Sequence, residues 1–259
     1  MSYPNIEEQI SVISRVKRQI DVDYNGRLLN LMISGSHLYG FSSLDSDVDW
    51  RGYFLTGTEK LLGLYKLNDS LVMKPDIVLF EIAKEVELAI RGNCNALERF
   101  NAKPIHSTAE HRSLLKLINN SYGKMGLYNS YRGMAMHNYK KFIQTGKKTF
   151  KKYLYVYRGI MAGTHVLETG RIQPNIEELL KYWKISPVKQ VLEYKKKGSE
   201  NQEVQGLVDS GELDEIIPTM LERLDQAYDR SKLRERPDED IKKEISDFII
   251  QLRNDKMGK

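Results

Sequence analysis

Ile33-Ser-Gly-Ser-His-Leu-Tyr-Gly-Phe41, then Ser42-Ser-Leu-Asp-Ser46, then Asp47-Val-Asp-Trp-Arg-Gly-Tyr-Phe-Leu55 is the stretch on which the reading of this chain turns. Arg27 to Ser34 (RLLNLMIS) before it is short and apolar, reads as a strand, and ends at Gly35-Ser36. His37 to Phe41 reads as a brief turn or helix start, and Ser42 to Ser46 as a polar loop. Asp47 to Leu55 alternates at its start. Asp47, Asp49 and Arg51 point one way, and Val48, Trp50 and Gly52 the other. A strand with two carboxylates on one face is the expectation.

Outward from that stretch, Ile6, Ile10, Ile13, Val16 and Ile20 recur at helical steps behind Asn5, a candidate N-cap. Thr58 to Leu64 is helix-like, Asp76 to Phe80 (DIVLF) reads as a strand, and Glu81 to Arg91 as an amphipathic helix capped by Gly92-Asn93. The order up to residue 105 is α-β-turn-β-β-α. Beyond it strand signals disappear. Helical spacing runs through Arg112–Asn119, Leu127–Gln144, Lys148–Thr169, Ile176–Trp183, Val188–Lys197, Leu213–Ala227 and Asp238–Arg253, with Pro218 expected to mark a start or kink. An α/β part over 1–105 followed by a helical part over 106–259 is the expected division.

The chain has 259 residues, 41% of them hydrophobic and 29% charged, which is the composition of a globular protein with a real core. Its longest apolar runs fall far short of the roughly 20 residues that a membrane span needs. The first residues show no basic segment followed by an apolar one, so no signal peptide is expected. A lone cysteine, Cys94, and scattered histidines offer neither an internal disulfide nor a zinc site. A cytoplasmic protein is the expectation.

The net charge of +5 is unevenly spread. Residues 1–105 carry 12 basic and 14 acidic side chains; residues 106–259 carry 28 and 21. His111 to Leu167 holds eleven Lys/Arg, seven tyrosines and no acid. Helix surfaces ordinarily mix signs, so the stretch is read as a face turned toward phosphates.

Carboxylates at i and i+2 on a strand lie roughly 7 Å apart. They can bridge hard cations, and clustering them without cations is costly. A Gly-Ser turn at the end of the preceding strand presents backbone N–H groups and a hydroxyl, donors that suit a terminal phosphate. Together these are the equipment of two-metal phosphoryl or nucleotidyl transfer.

The quoted stretch resembles the signature of DNA polymerase beta-type nucleotidyltransferases. It is most similar to the branch of that superfamily associated with RNA repair in bacteria and their phages. The resemblance extends through Asp76-Ile-Val-Leu-Phe-Glu-Ile82 and Gly92-Asn-Cys-Asn-Ala-Leu-Glu98, where Cys94 stands in place of a usual proline. It continues more loosely through Tyr131-Arg-Gly-Met-Ala135 and Lys152-x-x-Tyr155-x-x-Arg158. It implies an α/β (α+β) minimal nucleotidyltransferase fold with a mixed sheet, followed by an all-helical C-terminal part.

It also implies roles. Gly35 and Ser36 would bind the triphosphate of an NTP, while Asp47, Asp49 and a third carboxylate would hold Mg²⁺ or Mn²⁺. The third carboxylate is read as Asp76, which opens the next strand, with Glu81 as its competitor. Lys152, Tyr155 and Arg158 are read as further nucleotide-binding residues, and Arg51 as either an aspartate's partner or a substrate contact. The implied reaction moves a nucleoside monophosphate onto a hydroxyl and releases pyrophosphate. The acid-free stretch favours an RNA end as acceptor. A protein hydroxyl, as in AMPylating toxin–antitoxin relatives, and a non-catalytic nucleotide- or RNA-binding module are the alternatives.

Overall fold

The computed structural model describes residues 3–64, 67–199 and 201–254; Met1 and Ser2, which open the segment read for a signal peptide, lie outside them. Helix α1 (Ile6–Tyr24) starts where expected, because Asn5 closes a capping box with Glu8 in which each side chain takes the other's backbone N–H at 2.9 Å. Such a cap contributes about 1 kcal/mol.

Strand β1 (Arg27–Ile33) follows and is buried almost throughout. It lies near the middle of a mixed five-stranded sheet of order β3-β4-β2-β1-β5, with β2 (Trp50–Leu55), β3 (Ser70–Met73), β4 (Ile77–Glu81) and β5 (Pro104–Ser107). β1 is antiparallel to β2 and β5, β2 is parallel to β4, and β3 is antiparallel to β4.

The sheet buries both faces. On one, Val16, Ile20 and Tyr24 of α1 meet Leu28, Leu31, Trp50, Phe54, Ile77 and Leu79. On the other, Leu29, Tyr53 and Leu55 join a large core that continues through the helical part as far as Leu252. Its centre is α8 (Phe150–Thr169), a helix buried on nearly every side, against which α7 (Lys124–Asn138), α10 (Ser186–Lys197) and α11 (Ser210–Arg230) pack. The fold is thus a mixed sheet with a helical C-terminal part, as the sequence implied.

Four local expectations change. β2 begins at Trp50, so Asp47 and Asp49 sit on the loop entering the strand and not within it. Strands β3 and β5 and helix α5 (Cys94–Asn101) had not been read, and β5 crosses the expected division at residue 105. Pro218 lies inside continuous α11, which excludes the start that was one of its two expected places. Finally, α7 runs into a π-helical turn, Tyr139–Ile143. Among the described residues, no helix is long and apolar enough to cross a membrane.

Candidate active site

Gly35 opens α2 (Gly35–Tyr39), the short helix into which β1 turns. Its φ is +63°, where a side chain is strained, and a Cβ there would lie 2.0 Å from Asp49 Oδ2. The glycine therefore brings the Gly-Ser turn into van der Waals contact with one of the two aspartates. Ser36 follows, its side chain almost buried.

Asp49 is fixed by its backbone and its side chain together. Its carbonyl accepts from Ser34 N–H at 2.8 Å, which ties it to the end of β1. Its Oδ1 accepts from Arg51 at 2.7 Å, and the same guanidinium donates to the Asp76 carbonyl at 2.6 Å. Of the two roles open to Arg51, pairing with an aspartate is the one observed. Trp50 pairs with Ile77 in the parallel register and donates to the Asp76 carbonyl at 3.0 Å, so Asp49 and Asp76 are neighbours at one sheet end.

Asp76 itself is exposed and takes φ +41° at the β3–β4 turn, a left-handed position that aspartate tolerates better than most residues. Asp47 and Asp76 rim a cleft of about 410 Å³ on the α1 side, floored by Val12, Val48 and Trp50. A second, polar cleft of about 430 Å³ opens on the other side of the loop, between His37, Ser42 and Ser43 and the helical residues Asn175 and Lys196.

Glu81 is at the opposite end of β4. It caps α4 (Ile82–Ile90) by accepting from Ala83 N–H at 2.7 Å, and it pairs with Arg253 at 2.9 Å. Its geometry is that of a structural cap, which leaves Asp76 beside the aspartate pair.

Among the described residues, no three His, Cys, Asp or Glu side chains form a ready-made metal cage. Mg²⁺ is commonly held by one or two carboxylates together with substrate phosphates, so the hard oxygen donors of Asp47, Asp49 and Asp76 fit it in type without such a cage.

The structure separates Lys152, Tyr155 and Arg158. The Lys152 ammonium lies 3.8 Å from the Phe142 ring centroid, and burial, then Lys151 and Lys141, hold its pKa below the ordinary lysine value. Tyr155 is half-buried and packs edge-on against Tyr39 and Phe41, with centroids 5.9 and 5.4 Å away, so it bridges α8 to the segment just after the Gly-Ser turn. Arg158 corrects the expectation. It is completely buried, donates to Glu98 Oε1 at 2.6 Å and stacks 3.7 Å over Tyr39. An interior guanidinium already paired with a carboxylate does not meet a phosphate in this arrangement.

Sequence reasoning had quoted Glu98 without a role. It supplies that counter-charge, and with burial it raises the Tyr131 phenol far above its ordinary value. Cys94 is buried, and burial followed by Glu98 pushes its thiol up to about 11, so it is no nucleophile at neutral pH.

The acid-free stretch is also less bare than it reads. Lys124, Arg132 and Lys148 pair with Glu235, Asp225 and Asp214, acids supplied by α11 and the segment after it. What stays concentrated is a lysine patch around the π-helical turn: Lys140, Lys141 and Lys147 exposed, Lys151 and Lys152 half-buried, with Phe142 among them.

A testable consequence concerns Gly35. Gly35→Ala should lower stability by about 1–3 kcal/mol, because it forces a side chain into the left-handed region and against Asp49. At about 3 °C per kcal/mol for a chain of this size, a thermal melt should fall by several degrees. An unchanged midpoint would mean that Gly35 is not in this conformation.

Comparison with known proteins identifies the family. The chain is 25% identical over 253 residues, 92% of this chain and 94% of the relative, to a Bacillus subtilis (strain 168) protein described as "Uncharacterized protein YcgL". A family model described as the RNA repair pathway DNA polymerase beta family matches residues 6–251. That match takes in the α1 entry, the Gly-Ser turn with its aspartates and the helical part alike, and the chain belongs to the RNA repair pathway DNA polymerase beta family.

Proposed function

We propose that the protein is a metal-dependent nucleotidyltransferase that moves a nucleoside monophosphate from an NTP to a hydroxyl at an RNA end, releasing pyrophosphate. One observation carries the reading: the Gly-Ser turn at Gly35 is built in contact with a carboxylate, Asp49, beside Asp76 at the same sheet end, and Asp76 shares a cleft with Asp47. Gly35 and Ser36 would hold the triphosphate, and Asp47, Asp49 and Asp76 the Mg²⁺ or Mn²⁺. When bound, such ions activate the attacking oxygen and neutralise charge on the leaving phosphates. Arg51 keeps Asp49 aligned with the Asp76 backbone. The cleft lined by Asp47 and Asp76 offers a ligand an approach to those carboxylates.

The lysine patch favours RNA as acceptor over a protein hydroxyl. Cations around a half-exposed aromatic ring suit a single strand, whose phosphates they neutralise while a base stacks on the ring. Replacing Lys140, Lys141, Lys147, Lys151 and Lys152 by glutamine should flatten the salt dependence of single-stranded RNA binding. At about 0.7 per neutralised phosphate, the log–log slope should fall by about 3.5. A slope indifferent to the five changes would remove the RNA face and move protein nucleotidylation ahead.

The function is tested by incubating the protein with each labelled NTP, Mg²⁺ or Mn²⁺ and total RNA. Label on RNA supports the reading. Label on protein alone selects the AMPylation alternative, and no label with any NTP selects a non-catalytic binding module.

A further inference from the structure

Lys195 is fully buried, a rare state for a lysine. It lies on α10 in the helical part, on the stripe of Val188, Val191 and Leu192 that packs into the core. Its ammonium donates to Ser43 Oγ at 2.6 Å, across 152 residues of chain. Ser43 belongs to the loop that joins the Gly-Ser turn to Asp47 and Asp49.

Several bonds meet at that serine. Ser43 Oγ accepts from Lys195 and donates to Asp45 Oδ1 at 2.7 Å. The Ser46 hydroxyl accepts from Ser43 N–H at 3.0 Å and stands 3.0 Å from Ser43 Oγ, to which it can donate. Ser46 N–H in turn donates to the Ser43 carbonyl at 3.1 Å. Both serines are buried, whereas Asp47, the next residue after Ser46, is exposed. The loop is therefore clamped up to the residue before the first carboxylate, and a buried positive charge from the helical part takes part in the clamp.

We propose that Lys195 is a positioning residue: through Ser43 it ties the helical part to the loop that carries Asp47 and Asp49 and so sets the geometry in which those carboxylates receive a divalent cation. The proposal rests on the metal-dependent reading above. A solvated lysine would grip a loop loosely, because its flexible stem leaves the ammonium many positions. A buried one has its stem fixed by packing, so its hydrogen bond transmits the position of α10 to Ser43. Groups that orient metal ligands from behind commonly change metal affinity 10- to 100-fold when removed.

The test is Mn²⁺ binding followed by electron paramagnetic resonance on the full chain, with and without a non-hydrolysable NTP analogue whose own affinity is also measured, well below each variant's melting temperature. Lys195→Met and the milder Ser43→Ala should each weaken Mn²⁺ binding about tenfold or more. Glu85→Gln serves as a control. It disturbs another buried ion pair, with Arg99 at 2.6 Å, away from the loop, and should lower the melting temperature while leaving Mn²⁺ affinity unchanged. If Lys195→Met does not fold, Ser43→Ala alone decides.

Unchanged Mn²⁺ affinity in the folded variants, beside a wild type that binds, overturns the role of Lys195 and leaves the metal reading standing. So does a loss confined to NTP affinity, which would put Lys195 on the triphosphate. An Mn²⁺ loss as large in Glu85→Gln as in Ser43→Ala also overturns it, since the effect would then be one of general stability. Absence of Mn²⁺ binding by the wild type even with the NTP analogue present overturns both readings at once.

Discussion

Asp47→Asn and Asp49→Asn should each reduce nucleotidyl transfer by about three powers of ten or more while leaving the melting temperature within a degree or two of wild type. The size follows from what a bound cation contributes, several kcal/mol of transition-state stabilisation, at 1.36 kcal/mol per tenfold in rate. The small structural effect follows from exposure. Asp47 is solvent-exposed, and its only expected function is toward a ligand. Asp49 does lose charge opposite Arg51, but those side chains are 31% and 23% exposed, and a pair so open to water is worth at most about 1 kcal/mol. An asparagine still offers Arg51 an acceptor. Single-turnover rates with saturating NTP and Mg²⁺, set beside thermal melts, check both halves. Turnover retained in both variants would remove the aspartates from the chemistry. A large fall in melting temperature would show that they serve the fold.

The parts of this site that lie close together in the chain were legible because local chemistry fixes them. Asn5 with Glu8 marks a helix start, and the apolar run from Arg27 ends where Gly35 must turn. Asp47 and Asp49 read as strand residues, yet they sit on the loop that enters the strand. Alternation is visible at Asp47, whereas the bond that Ser43 of the same loop accepts from Lys195, 152 residues away, is not. Four-residue β5 carries too little periodicity to be read alone and exists because β1 offers it an edge. The acid-free stretch reads barer than it is for a related reason. Charge was counted along the chain, while Asp214, Asp225 and Glu235 arrive from α11 and beyond. One signal was available and went unused: Lys195 continues the stripe of Val188, Val191 and Leu192 at helical spacing. A lysine on the apolar face of an amphipathic helix demands a buried partner.

Arg158→Met should destabilise the protein by about 3–5 kcal/mol, the cost of leaving a buried carboxylate without its counter-charge. Glu98 is 1% exposed and Arg158 not exposed at all, so water reaches neither to compensate. At about 3 °C per kcal/mol, the melting midpoint should fall by about 9–15 °C. The pair also bears on the site, because the guanidinium lies over Tyr39, in the same short helix as Gly35 and Ser36. The double variant Arg158→Met/Glu98→Gln distinguishes a core ion pair from a phosphate ligand. If the pair is structural, removing both charges should recover much of the lost stability, because no unpaired charge remains, and the coupling in a double-mutant cycle should be large. If Arg158 instead met the triphosphate, Arg158→Met would cost little in the melt without ligand, weaken NTP binding strongly, and gain nothing from the second change. Melts of the four proteins in the cycle, each with and without NTP, separate the two. The packing of Arg158 between Glu98 and Tyr39 requires the first pattern: a charge pair that joins α5 to α8 beneath the Gly-Ser helix and supports the site from inside the core.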